Sequence, residues 1–182
     1  MSPRDLLIEI GTEELPPKAL RKLATAFCNE TREGLKKADL NFQDIKTYAA
    51  PRRLALLISA LDEAQKDKTV ERHGPALTAA FDNEGNATKA AEGFARSVGV
   101  GIDELQTQDG KLFFAKQEKG QSSSALIPTI VQTALDKLPI PKRMRWGDLD
   151  AQFVRPVRWV VLLFGDEVIE AEILSVKSGR ES

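Results

Sequence analysis

The sequence predicts an α+β fold, with mainly antiparallel sheets and packed helices arranged as two small subdomains. Three observations lead there. Strand-like and helix-like segments interleave along the 182 residues. Tight turns at Ala50–Arg53, Asp109-Gly110 and Gly165-Asp166 join strand-like runs, and such hairpins outnumber anything resembling a parallel crossover. Residues 169–173 alternate, with Ile169, Ala171 and Ile173 against Glu170 and Glu172, as a half-buried strand does.

Taken in order, Leu6 to Ile10 reads as a strand broken by Gly11. Thr12 offers a helix cap, and Pro16 and Pro17 are tolerated in a first turn. Glu13 and Glu14 are candidate catalytic carboxylates. Placement near the positive end of the helix dipole explains them more simply. Leu20, Leu23, Ala24, Phe27, Thr31 and Leu35 then recur at helical spacing, which makes 19–37 an amphipathic helix. Cys28 flanks that stripe and reads as core packing.

Ile45–Ala49 and Leu54–Leu61 read as strands around Pro51-Arg52-Arg53, with both arginines exposed at the exit of the turn. The charged run 62–72 is read as a boundary, giving domains 1–65 and 66–182. A short helix from Asn86 or Thr88 buries Ala91, Phe94, Ala95 and Val98 and ends at Gly99. Asp109-Gly110 turns a hairpin between 105–108 and 111–116. Ser122–Ser124 cap a helix with the stripe Ile127, Ile130, Val131, Ala134 and Leu138, and Pro128 either delays or kinks its start. Val157–Phe164 is a continuous apolar strand, returning through Gly165-Asp166 into 167–174.

With 42% apolar and 29% charged residues, the chain supports a real core under a wet surface. Its formal net charge of −1 provides no global field for nucleic acid, so any anion binding must be local. The single cysteine fits a reducing compartment. No signal peptide is visible, and no apolar run approaches the roughly 20 residues that span a bilayer. The expectation is a soluble cytoplasmic protein with no membrane partner.

Charge is concentrated between Pro139 and Phe164, where Lys142, Arg143, Arg145, Arg155 and Arg158 face only Asp148 and Asp150. Both tryptophans, Trp146 and Trp159, stand beside arginines in this stretch. The prolines stop a helix, so these cations sit on a loop and at a strand entrance. One reading is recognition of an anion. The other is a solvated loop whose tryptophans anchor in the core.

Several catalytic patterns are missing from the sequence. There is no phosphate-cradling glycine loop, and Gly99-Val100-Gly101 lacks the third glycine of a dinucleotide fingerprint. One cysteine and one histidine cannot make a zinc set. No Gly-x-Ser-x-Gly elbow occurs. His73, beside Gly74-Pro75, reads as structural rather than as a general base. No catalytic and no metal residue is therefore assigned, and an autonomous enzyme is not expected.

Three blocks together resemble one family. Ile8-Glu9-Ile10-Gly11-Thr12-Glu13-Glu14-Leu15-Pro16 resembles the N-terminal signature of the β subunit of bacterial heterotetrameric glycyl-tRNA synthetase. Ala50-Pro51-Arg52-Arg53-Leu54-Ala55 resembles its next motif. Pro141-Lys142, Met144-Arg145-Trp146-Gly147 and Phe153-Val154-Arg155-Pro156 resemble its third.

The resemblance implies a subunit of a ligase that attaches glycine to its tRNA, active only with the α subunit. ATP and glycine would be used through that α subunit, with no cofactor bound by this chain. The implied partners are two α subunits, a second β subunit and tRNA. The family's β subunits are several times longer, so an N-terminal fragment is expected. The second half is expected to resemble the editing-type module of phenylalanyl-tRNA synthetase. Candidates for RNA contact are Lys142, Arg143, Arg145, Arg155, Arg158, Arg52 and Arg53. Arg155 and Arg158 are three apart and would face opposite ways in a strand, so at most one joins the patch. A docking scaffold without RNA contact and an editing-like hydrolase or small-molecule pocket remain the rival readings.

Overall fold

The computed structural model describes residues 2–182. It is α+β with mostly antiparallel sheets, as the alternating patterns predict. The chain forms two compact units, Met1–Lys66 with Gln121–Ser182, and Asp67–Gly120. This differs from the expected division into 1–65 and 66–182. The apolar strand near the C-terminus pairs with the N-terminal strand, which brings the chain after Gly120 into the first unit.

The first unit is built on β1 (Arg4–Thr12), flanked by β3 (Arg53–Leu61) and β9 (Val157–Phe164). Strand β2 (Asp44–Ala50) pairs with β3 and forms one edge of the sheet. Alternation along β1 puts Leu6, Ile8 and Ile10, all fully buried, on one face. Helices α1 (Pro17–Lys37) and α4 (Ser123–Asp136) share that core through Leu23, Phe27, Leu35, Ile127 and Val131. Gly34 makes the helix contact possible, because a Cβ there would lie 2.7 Å from Ile130 Cγ2.

Several expectations need correction in this unit. Thr12 does not cap α1. It ends β1, and the helix begins after Pro16 with no side-chain cap. Its first turn holds no acid, so Glu13 and Glu14 are not helix-start charges. The return strand 167–174 is broken: β10 (Glu167–Val168) pairs briefly with β9, and β11 (Glu172–Ile173) turns back into β12 (Val176–Gly179). Leu174 and Ser175 make that turn at φ of 49° and 63°, a left-handed pair without the usual glycine. Strand β12 then joins β9 in parallel. Ser122 does cap α4, its Oγ accepting from the Ala125 N–H at 3.3 Å, and Pro128 lies inside the helix. The loop after α4 carries a two-residue ribbon, β7 (Met144–Arg145) with β8 (Gln152–Phe153).

The second unit is a three-stranded sheet in the order β4 (Lys68–Ala76), β6 (Lys111–Glu118), β5 (Gln106–Gln108). Helices α2 (Leu77–Ala80) and α3 (Lys89–Val98) complete it around Ala80, Ala91 and Leu112, with Phe94 packed alongside. The hairpin turn is where the sequence places it, with Asp109 and Gly110 both at positive φ. Part of the charged run read as a boundary is instead strand β4. No helix among the described residues is long and apolar enough to cross a membrane.

Candidate functional site

The three blocks singled out in the sequence meet at one end of the central sheet. Backbone bonds join them first. The Thr12 N–H donates to Arg52 O and the Glu13 N–H to Pro156 O, both at 2.9 Å, while the Leu15 N–H reaches Pro51 O. The segment after β1 is thus pinned on one side by the β2–β3 turn and on the other by the entrance to β9. Pairing β1 between β3 and β9 forces this, since Gly11 stands opposite Arg53 on one neighbour and Trp159 on the other.

Side chains tighten the junction on the sheet face away from the helices. Glu9 is only 7% exposed, a charged residue between Ile8 and Ile10 in the otherwise apolar stretch from Leu6 to Ile10. Its Oε1 accepts from Trp159 Nε1 at 2.7 Å and lies 3.5 Å from Arg53 Nε. The Arg53 guanidinium stands 5.8 Å from the centroid of the Trp159 ring. Gly11 leaves the space for that ring: a Cβ would come within 1.9 Å of it. Trp159 is half-buried over Gly11, a correction to its expected place as a core anchor, because its alternation in β9 is opposite to that of Val160 and Leu162.

Most of the expected cations are engaged inside the protein. Arg158 pairs with Glu13, and Arg155 Nε donates to Glu14 O at 3.1 Å. Both reach the Glu13–Glu14 segment, which corrects the expectation of opposite faces: Arg155 precedes β9 rather than lying within it. Arg155 Nη1 also lies 3.3 Å from Met144 Sδ, tying the ribbon to the junction. On the loop, Arg143 Nη2 donates to Asp136 O and Arg145 Nη2 to Asp150 Oδ1, each at 2.6 Å. Arg52 and Lys142 are exposed, and neither side chain has a partner among the described residues. The structure therefore gathers Arg52, Arg53, Arg155 and Arg158 at the junction and leaves Lys142, Arg143 and Arg145 on the adjoining loop.

Sequence reasoning gave no role to Glu9 and read Gly11 as a strand break, whereas β1 continues through Gly11 to Thr12. The available signal was a lone carboxylate and a glycine at alternate positions of a strand otherwise fit for full burial. Chemically, the junction offers carboxylates and guanidinium groups largely neutralised by one another. Among the described residues, no group of three His, Cys, Asp or Glu could hold a metal ion.

The blocks meeting here are those that resemble an aminoacyl-tRNA synthetase subunit, and comparison with known sequences shows the family directly. The chain belongs to the family described as "Glycyl-tRNA synthetase beta subunit", whose model matches residues 6–182. It is 53% identical over its whole length to the glycine–tRNA ligase β subunit of Azotobacter vinelandii and 53% identical to that of Ectopseudomonas mendocina. Identity to the subunit of Pseudomonas aeruginosa strain LESB58 is 51%. In each case the match covers 100% of this chain and 27% of the relative, so the chain spans about a quarter of these relatives' length.

Proposed function

We propose that this chain is a non-catalytic portion of a glycine–tRNA ligase, supporting ATP-dependent attachment of glycine to tRNA through tRNA contacts and subunit assembly. Its partners are then an α subunit, which handles ATP and glycine, a second β subunit and the tRNA, all in the cytoplasm. The supporting observation is the division of labour among the cations. Glu13, Glu9 and backbone carbonyls occupy Arg158, Arg53 and Arg155, whereas the exposed Arg52 and Lys142 side chains have no partner among the described residues. Paired arginines hold the fold, and unpaired cations are free to meet phosphate.

The test is ATP–pyrophosphate exchange with glycine, measured on the chain alone and on the α subunit alone, together with tRNA binding by the chain. The expected result is no exchange by the chain and salt-sensitive tRNA binding. Turnover by the chain alone, or no affinity for tRNA, contradicts the proposal.

A second reading follows from a polar cavity of about 460 Å³ lined by Gln132, Asp136, Arg143, Asp150 and Glu172 among others. Such a concavity suits an editing-type module like that of phenylalanyl-tRNA synthetase. It predicts hydrolysis of mischarged glycine tRNA by the chain, and no release of the amino acid from alanyl-tRNA contradicts it.

A further inference from the structure

The first half of α1 carries a basic cluster that the junction does not use. Lys18, Arg21 and Lys22 line a groove of about 500 Å³ together with Thr25, Ala26, Asn29 and Pro139. The spacing 18, 21, 22 puts Lys18 beside both Arg21 and Lys22 on the helix surface, with Cβ atoms about 5–6 Å apart in each pair. None of them has a hydrogen bond or ion pair with a described residue. Nearby acids do not compensate: Glu13 takes Arg158, Glu30 takes Lys137 at 3.5 Å, and Glu14 makes no ion pair with a described residue. The first turn of α1 has no acid at all.

For folding alone this is a poor arrangement. Like charges at these spacings repel, and cations at the start of a helix oppose its dipole. The cluster is therefore unexplained by the stability of the helix that carries it. Its surroundings suit one kind of occupant. Thr25 and Asn29 add neutral hydrogen-bonding groups further along the same helix, while Ala26 and Pro139 add apolar lining. No aromatic side chain lines the groove to stack on a base. Clustered cations with small polar groups and no base-reading surface match the phosphodiester backbone, where charge repeats every few ångström. Pro139 also stands three residues before Lys142, a loop cation without a partner among the described residues.

We infer that the groove between the first half of α1 and Pro139 is a sequence-independent seat for RNA backbone, with Lys18, Arg21 and Lys22 as its phosphate contacts. The inference rests on the proposed tRNA contact and adds a second surface to it.

Fluorescence anisotropy of a labelled, unmodified glycine tRNA transcript across a salt series tests it on the whole chain. Lys18→Ala/Arg21→Ala/Lys22→Ala is compared with wild type and with Arg32→Ala/Lys36→Ala/Lys37→Ala, which removes equal charge from the other end of α1. Melting curves verify folding, and Lys18→Arg/Lys22→Arg checks that charge is what acts. The expected result is a logarithmic salt slope flatter by about two to three units in the first triple variant only, at about 0.7–0.9 per phosphate. The Lys→Arg variant keeps the wild-type slope. Equal flattening by both triple variants would mean diffuse attraction and overturn the groove. A wild-type slope in the first variant, with Arg52→Ala/Lys142→Ala flattened, overturns the groove but leaves the wider reading standing. The same unchanged slope with lost binding to the α subunit makes the groove an acidic-protein contact instead. No binding by wild type overturns both.

Discussion

Trp159 donates its indole N–H to Glu9 at 2.7 Å across a row in which Gly11 lies between Trp159 and Arg53. One carboxylate thereby links residues from β1, β3 and β9, and the glycine beside it gives the indole room. This contact ties the first two sequence blocks to β9, and the third block joins them through Pro156 O and Arg155 at the entrance to that strand. Each element of the unit makes a separate prediction.

Gly11→Ala is expected to destabilise the protein by about 1–3 kcal/mol, the usual cost of forcing atoms into a filled space. The new Cβ would stand 1.9 Å from a ring atom of Trp159, so the indole must leave its position over the strand. Urea denaturation followed by tryptophan fluorescence measures this. An unchanged midpoint would mean that the ring is not seated over Gly11.

Trp159→Phe keeps an aromatic ring but removes the donor to Glu9, which is expected to cost about 1–2 kcal/mol. Combined with Glu9→Gln in a double-mutant cycle, it should show a coupling of about 1 kcal/mol. Trp159→Ala should cost less than the roughly 3–5 kcal/mol of a fully buried aromatic, since the ring is half-exposed. Additive effects in the cycle would contradict the contact.

The Arg158–Glu13 pair is 60% and 40% exposed, and its coupling should not exceed about 1 kcal/mol. The coupling should shrink further in high salt. A larger, salt-insensitive value in a double-mutant cycle would place the pair in a drier setting than its exposure indicates.

In the second unit, the backbone N–H of Asn86, chief among several donors, holds the Asp82 carboxyl below its ordinary value of 3.8. A lowered folded value means that the contribution to stability is complete above pH 3.8 and is lost as pH falls through the lower folded value. Protection factors of the Glu84 and Asn86 amides, taken against their intrinsic exchange rates, should therefore fall only below about pH 4, and Asp82→Asn should abolish that acid-side change. Protection that is already falling between neutral pH and about pH 5 would contradict this assignment.

Strong periodicity made much of the fold legible. The runs in β1, β3 and β9 and the stripes of α1 and α4 each bury one face consistently, and Asp109-Gly110 has few conformational alternatives. Strand β4 was obscured because Lys68, Glu71, Arg72 and His73 give it the look of a linker, its apolar contribution being small. The break at Leu174-Ser175 was invisible because neither residue favours the left-handed turn it makes. The site was legible as three blocks but not as a junction. Glu13 meets Arg158 across 145 residues of chain, and no local pattern tells which arginines will be neutralised by such partners. Arg143 and Arg145 looked free for a different reason: their partners lie only seven and five residues away, but the loop conformation that brings them together has no periodic signature.

The most direct test of the proposed division between structural and RNA-facing cations is tRNA binding across a salt series for two double variants. Arg52→Ala/Lys142→Ala should keep the wild-type melting temperature and flatten the logarithmic salt slope by between about one and two units. Arg155→Ala/Arg158→Ala should lower the melting temperature and leave the slope of the folded protein unchanged. The reverse pattern, with the paired arginines setting the slope and Arg52 and Lys142 without effect on it, would contradict the account.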